Sequence, residues 1–193
     1  MKRLLAAVIA SAALSATAAP AFAVEVAYGL DPAHTETTFT IDRFGFTSVI
    51  GVFAKSEGTI WLDEAAPEKS RVEATVTVDS LLTANPTRDE HLKGERWLNA
   101  AKNPTMTFKS TKVEKTGAAT AKVTGDMTIM GVTQPVVLDV KLNKIGTAPN
   151  NQKKQAGFTI TGQISRKAFG SAGAAGMIGD AVNIRIETLA VAQ

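Results

Sequence analysis

RVEATVTVD, residues 71–79, places Val72, Ala74, Val76 and Val78 on one side of an extended chain and Glu73, Thr75, Thr77 and Asp79 on the other. Side chains of a strand alternate between its two faces, so a period of two means one buried and one wet surface. The same period recurs at Val136, Leu138, Val140 and Leu142, with Asp139, Lys141 and Asn143 interleaved. A helix would need its apolar residues three and four apart, and neither stretch has that spacing. The dominant element is therefore the half-buried strand.

Shorter runs of the same kind extend in both directions: Phe39 with Ile41, Ile60 with Leu62, Met106 with Phe108, and Val123 with Met127 and Ile129. Near the end come Phe158, Ile160 and Ile164, then Val182, Ile184 and Ile186. Turn residues separate them, among them Gly45, Pro67, Gly117, Gly131 and the stretch 147–154 with Pro149, Asn150 and Asn151. With a first strand over Val24–Asp31 the count is about eight to ten, which suits a closed barrel or a sandwich.

One segment breaks the pattern. Between Ala84 and Asn103 the spacing predicts a short helix, with Thr87 as N-cap, Glu90 completing a capping box, and Pro104 stopping the segment. An insertion this long exceeds what a hairpin needs and reads as a lid or plug on one end of the barrel. The Gly- and Ala-rich stretch Gly170–Gly179 reads as a loop with few side chains able to anchor it. These two segments are the candidates for a moving gate.

The first 23 residues read as an export signal: Lys2 and Arg3, an apolar stretch over Leu4–Leu14, and Ala21-Phe22-Ala23 as a cleavage site, with Val24 starting the mature chain. The stretch is short and broken by Ser11, Ser15 and Thr17, whereas a membrane span needs about 20 continuous apolar residues. The rest, residues 24–193, suits one domain in the periplasm or outside the cell. The leader carries two of the 21 basic residues and none of the 18 acids, so the remainder is almost neutral at +1. No basic block is present, which argues against nucleic acid as a partner and against a polybasic membrane patch. The chain has no cysteine; disulfides and zinc–thiolate sites are excluded.

Catalytic signals are sparse. Asp89 and His91 share one segment with Arg88 and Glu90, but no cysteine or G-x-S-x-G elbow supplies a nucleophile. The two histidines, His34 and His91, lack metal-ligand spacing. Three readings of the box are open: Arg88 and Asp89 pinning the lid to a strand end, His91 or Arg88 touching a ligand head group, and catalysis on a bound lipid through His91 and Asp89.

Several elements, in order, resemble the signature of the bacterial YceI-like, polyisoprenoid-binding family. Tyr28, Leu30, Asp31 and His34 look like its opening Y-x-I-D-x-x-H; Gly51 with Phe53 matches a G-x-F step; Arg88, Asp89, His91 and Leu92 match R-D-x-H-L. Asn103 and Pro104 before Met106 and Phe108 are similar to the P-x-x-x-F stretch, and Gly125, Met127, Thr128, Ile129, Gly131, Val132, Thr133 and Pro135 to G-x-L-T-x-x-G-V-T-x-P. Ser165, Arg166, Phe169, Gly170, Gly179, Asp180 and Val182 look like R-x-D-F-G and G-D-x-V. Arg43 stands where the family commonly has His, and Ala168 where it has Asp.

The resemblance implies an all-β fold, an extended eight-stranded antiparallel lipocalin-like barrel with a short helical insertion. It further implies an apolar tunnel that holds a polyisoprenoid or similar long-chain lipid for transport, storage or stress protection, with no cofactor required and no catalysis. Alternation assigns the wall to Phe39, Ile41, Arg43, Phe53, Ile60, Val76, Met106 and Phe108 in the first half. Met127, Ile129, Leu138, Val140, Phe158, Ile160 and Ile184 follow in the second, with His91 from the insertion. Arg43, costly inside an apolar tunnel, is expected at a mouth, meeting Asp31, Asp89 or an anionic head group. Ala74, Gly125 and Met127 on inward faces leave room that a dense core would fill. Trp61 points outward by alternation. A structural stress protein with a filled barrel is the rival reading, and pairing with a second copy is left open.

Overall fold

The computed structural model describes residues 25–193; the leader over residues 1–23 and Val24 lie outside the described residues. The strands are β1 (Val26–Arg43), β2 (Thr47–Phe53), β3 (Ser56–Leu62), β4 (Arg71–Thr77), β5 (Leu81–Leu82), β6 (Thr105–Lys115), β7 (Thr120–Ile129), β8 (Val132–Thr147), β9 (Lys154–Ser165) and β10 (Ile178–Ala192), with one α-helix, α1 (Pro86–Lys93). Eight of them close a ring in the order β1, β3, β4, β6, β7, β8, β9, β10, and β10 pairs back onto β1; every pairing is antiparallel. The 15 residues of β10, at about 3.3 Å each and a tilt of about 40°, make a wall roughly 38 Å tall.

β2 continues the wall above β3, and β5 flanks it. β3 occupies the edge of β1 at Val26–Gly29 and β2 the same edge at Thr37–Arg43, so β1 with β2 and β3 forms one long hairpin broken at Ala54 and Lys55. β5 adds two residues to the far side of β2, Leu82 opposite Val52 and Leu81 opposite Phe53. The alternation is interrupted where β1 bulges: Leu30 pairs with Ala190 and Thr35 with Thr188, leaving four residues of β1 against one of β10. Asp31 closes that bulge by accepting from the Ala33 N–H (3.0 Å) and from His34 Nδ1 (2.7 Å).

Three elements differ from the expectation drawn from the sequence. The first strand runs to Arg43 rather than ending at Asp31, because the bulge lets an extended chain continue past a polar stretch. Val78 leaves β4 for a 3-10 turn, where it is buried. The helix is capped by Asn85 rather than Thr87: Asn85 Oδ1 accepts from the Arg88 N–H (3.0 Å), and Pro86 takes the first helical position, where no N–H is needed.

The connections β3–β4, β6–β7 and β8–β9 fall at one end of the barrel. The β1–β2 hairpin, α1 and the 166–177 connection fall at the other, called here the α1 end. Two apolar clusters mark these ends: Tyr28, Ala156, Phe158 and Ala190 at the first, and Ile129, Val136, Leu138 and Phe169 at the α1 end.

Candidate ligand-binding cavity

Between the two clusters the axis is hollow. An apolar cavity of about 500 Å³ is walled by inward residues of the ring strands. Fourteen of the residues assigned from alternation line it: Phe39, Ile41, Phe53, Ile60, Val76, Met106, Phe108, Met127, Ile129, Leu138, Val140, Phe158, Ile160 and Ile184. Arg43 and His91 do not.

Three glycines explain how large side chains line a barrel without filling it. A β-carbon on Gly51 would lie 2.3 Å from the Phe39 ring, one on Gly125 2.4 Å from the Phe108 ring, and one on Gly162 2.5 Å from a Leu138 methyl. Each glycine lets its neighbour lie flat against the wall instead of projecting to the axis. The expectation that Gly125 leaves a void needs correcting in this respect, since the space belongs to Phe108. Phe39 also packs on Phe53, ring centres 5.7 Å apart and tilted by 39°.

A few polar groups share the wall, and most are paired with one another. Thr35 meets Thr188 (2.7 Å) and Thr37 meets Ser56 (3.0 Å), hydroxyl to hydroxyl. Sequence reading missed this belt because polar residues on the inward face break the apolar alternation by which strands are recognised. In hindsight Thr35 and Thr37 stand at even spacing from Phe39, and that spacing was the available signal.

At the α1 end the cavity is roofed by Leu92, Trp97 and Leu98 and by Phe169. Arg166 is buried here. Its Nε donates to the Gly179 carbonyl (2.8 Å) and its terminal nitrogens to the Ser171 and Ile178 carbonyls (2.9 and 3.2 Å), with the guanidinium 5.3 Å from the Trp97 ring centre. The loop that lacks anchoring side chains is thus anchored through its backbone: the Ala172 and Gly173 N–H groups also donate to the Arg96 carbonyl (3.1 and 2.7 Å). Asp180 accepts from the Lys167 N–H (3.0 Å) and the Ser165 hydroxyl (2.7 Å), and these bonds, the Lys167 one foremost, hold its carboxyl below the usual range.

At the opposite end the boundary is Glu64, Pro67, Lys115 and the small residues Gly117, Ala118 and Ala119. Lys154 pairs with Glu64. Beside that pair the Tyr28 hydroxyl is buried without a hydrogen-bond partner among the described residues, and burial pushes its pKa up.

The Arg88–His91 box is resolved into two roles. Asp89 is buried and accepts from the N–H (2.8 Å) and hydroxyl of Thr83; Arg88 donates to the same hydroxyl from Nε (2.8 Å) and to the Thr83 carbonyl. The two charged side chains do not pair directly but converge on Thr83, pinning α1 to the end of β5. His91 lies exposed on α1, so the structure does not bring it to Asp89. His34 is held by Asp31 in the β1 bulge, and no group of three His, Cys, Asp or Glu side chains placed to hold a metal forms among the described residues.

Arg43 is exposed, 4.9 Å over the Phe44 ring, and meets neither Asp31 nor Asp89. Arg43 is the last residue of β1 and stands at the rim of the α1 end, at a mouth as expected, rather than in the apolar wall. Trp61 points outward as read, covered by the Arg71 guanidinium at 3.6 Å.

The family model for the YceI-like domain matches residues 28–190. The protein YceI of Salmonella arizonae is 37% identical over 158 residues, 82% of each chain. Among solved structures, Burkholderia cenocepacia BcnA superposes with a TM-score of 0.75 at 21% identity, covering 83% of this chain and 98% of its own. A polyisoprenoid binding domain from Saccharophagus degradans superposes with a TM-score of 0.65 at 13% identity, covering 87% and 99%.

Proposed function

The chain belongs to the YceI-like family, and from that membership and the hollow axis we propose that it is a non-enzymatic binding protein for a polyisoprenoid or similar long-chain lipid. The observation that carries this reading is the cavity itself: about 500 Å³ of apolar space along the axis of a closed barrel, in the size range of small-molecule sites. Largely apolar walls favour an apolar guest, each buried CH₂ contributing about 0.8 kcal/mol. The Saccharophagus degradans domain of the same fold, named as polyisoprenoid binding, supports the choice of ligand class.

The protein acts by binding and release. An export signal over residues 1–23 puts it in the periplasm or outside the cell, where a carrier or reservoir shields a water-insoluble chain. The absence of a cofactor from this scheme follows from the chemistry: holding a lipid requires burial, and no bond is made or broken. Asp89, its carboxylate engaged by Thr83, and His91, facing solvent, are poorly placed to act together on a head group.

Extracting the purified protein with organic solvent and analysing the extract by mass spectrometry tests the reading. One long apolar molecule per chain is the expected result. Protein that carries no lipid and takes none up when offered a polyprenyl chain overturns it.

A further inference from the structure

Six large apolar side chains are exposed among the described residues, and five of them gather at the α1 end: Phe44, Phe46, Ile50, Leu82 and Met177. The sixth, Val137, lies on the barrel wall in β8. Phe46 is 91% exposed at the tip of the β1–β2 hairpin. Phe44 adopts a φ of 58° beside Gly45 at 70°, a left-handed backbone disfavoured for a bulky residue, and the turn is held by the Gly45 N–H donating to Asp42 Oδ2 (2.9 Å). Ile50 shares the outer face of β2 with Val52, opposite which stands Leu82. Met177 joins the group through its carbonyl, which accepts from the Phe44 N–H (3.3 Å).

We propose that this surface docks on a lipid bilayer. Burying so many exposed apolar groups calls for a partner, and three observations select a membrane. First, Phe46, 91% exposed, projects with Phe44 from the hairpin tip as separate side chains, a shape suited to insertion among lipids, while Ile50, Leu82 and Met177 extend the apolar surface behind them. Second, Arg43 and Arg96, exposed and in no ion pair among the described residues, flank it; Arg43 lies over the Phe44 ring, at the level where anionic head groups would sit.

Third, the surface is joined to the roof of the cavity on both sides. Leu82 is followed by Thr83, which holds α1 through Arg88 and Asp89. Met177 closes the segment whose Gly173 packs against Trp97 so tightly that a β-carbon would lie 2.1 Å from the indole. A bilayer gripping Leu82 and Met177 thus pulls on both attachments of the roof. The docking rests on the exposed side chains alone; its use for loading or unloading rests on the cavity reading above.

The test uses the full chain as its host processes it, mixed with vesicles of phosphatidylethanolamine and phosphatidylglycerol or of phosphatidylcholine alone, and separated by flotation. The protein is expected to float with the anionic vesicles and less with the neutral ones. Phe46→Ser and Ile50→Thr each weaken partitioning by about tenfold with thermal unfolding unchanged, and Val137→Thr leaves it as in the parent. Wild-type protein that stays with the soluble fraction, or a Phe46→Ser chain that floats as well as the parent, overturns the proposal. So does a second copy as occupant, seen as a concentration-dependent dimer that Phe46→Ser disrupts while no vesicle is bound. Flotation by a protein that carries no extractable lipid and takes up no polyprenyl chain would leave docking standing and remove the cavity reading; extractable lipid without flotation would do the reverse.

Discussion

At Gly51 a β-carbon would lie 2.3 Å from the Phe39 ring and 3.1 Å from a Thr83 methyl. Gly51→Val therefore lifts Phe39 off the wall into the lumen, and overpacking of this kind costs about 1–3 kcal/mol. A chemical-denaturation curve and a titration with a fluorescent prenyl chain should both register the change, as lower stability and reduced uptake; unchanged uptake would mean that Phe39 has room elsewhere. Asp180 gives a pH signature. Its carboxyl is held below the usual range by the Lys167 N–H and the Ser165 hydroxyl, so its contribution is complete above the ordinary Asp value of about 3.9 and is lost as pH falls through the depressed one. Acid unfolding should steepen below about pH 4, and Asp180→Asn should flatten that limb. At this scale the sequence is legible where alternation is strict; at Arg43 it gives the mouth but not the exposure, because alternation does not say where a strand leaves the wall.

Among the elements, β4 and β8 were plain from their period of two, and both carry inward side chains where that period puts them. β2 and β5 were not. In β2 a glycine takes the inward place opposite Phe39 while Ile50 faces solvent, which inverts the pattern by which a strand is recognised; β5 has two residues, too few to show any period. The helix was placed correctly within the insertion, but its cap went to Thr87 because the capping-box spacing matched there, whereas Asn85 followed by Pro86 was the stronger start. The roof it forms depends on Thr83, which bonds Asp89 and Arg88 together. Thr83→Val leaves Asp89 buried with one donor fewer, a cost of about 1–3 kcal/mol. Hydrogen exchange over 86–100 should quicken while β7 to β9 keep their protection; equal loss throughout would make the clamp part of the global fold rather than a local hold on the roof.

For the whole molecule, closure into a ring was legible as a choice between barrel and sandwich, narrowed by the resemblance, and the pairing of β10 with β1 decides for the barrel. The hollow was not legible from composition. An inward apolar face looks the same in sequence whether it packs a core or lines a tunnel, and the difference here rests on glycines that flatten Phe39, Phe108 and Leu138. Capacity follows from volume: 500 Å³, at roughly 30 Å³ per water-sized group, accommodates a chain of roughly 15 to 20 carbons. Affinity across a series of prenyl or alkyl chains should rise to about that length and then level off, and a rise that continues well beyond it would mean that the walls part. Leu138→Arg, which sets an unpaired charge in the wall beside Gly162, should abolish uptake by a chain that still folds. The most direct measurement is crystallographic: the protein grown with a long alkyl chain brominated at its terminus, and the bromine located by anomalous scattering. The peak is predicted within the lumen, between Phe39 and Ile160; a peak confined to the outer surface, or a lumen closed by its own side chains, would contradict the hollow barrel as a ligand site.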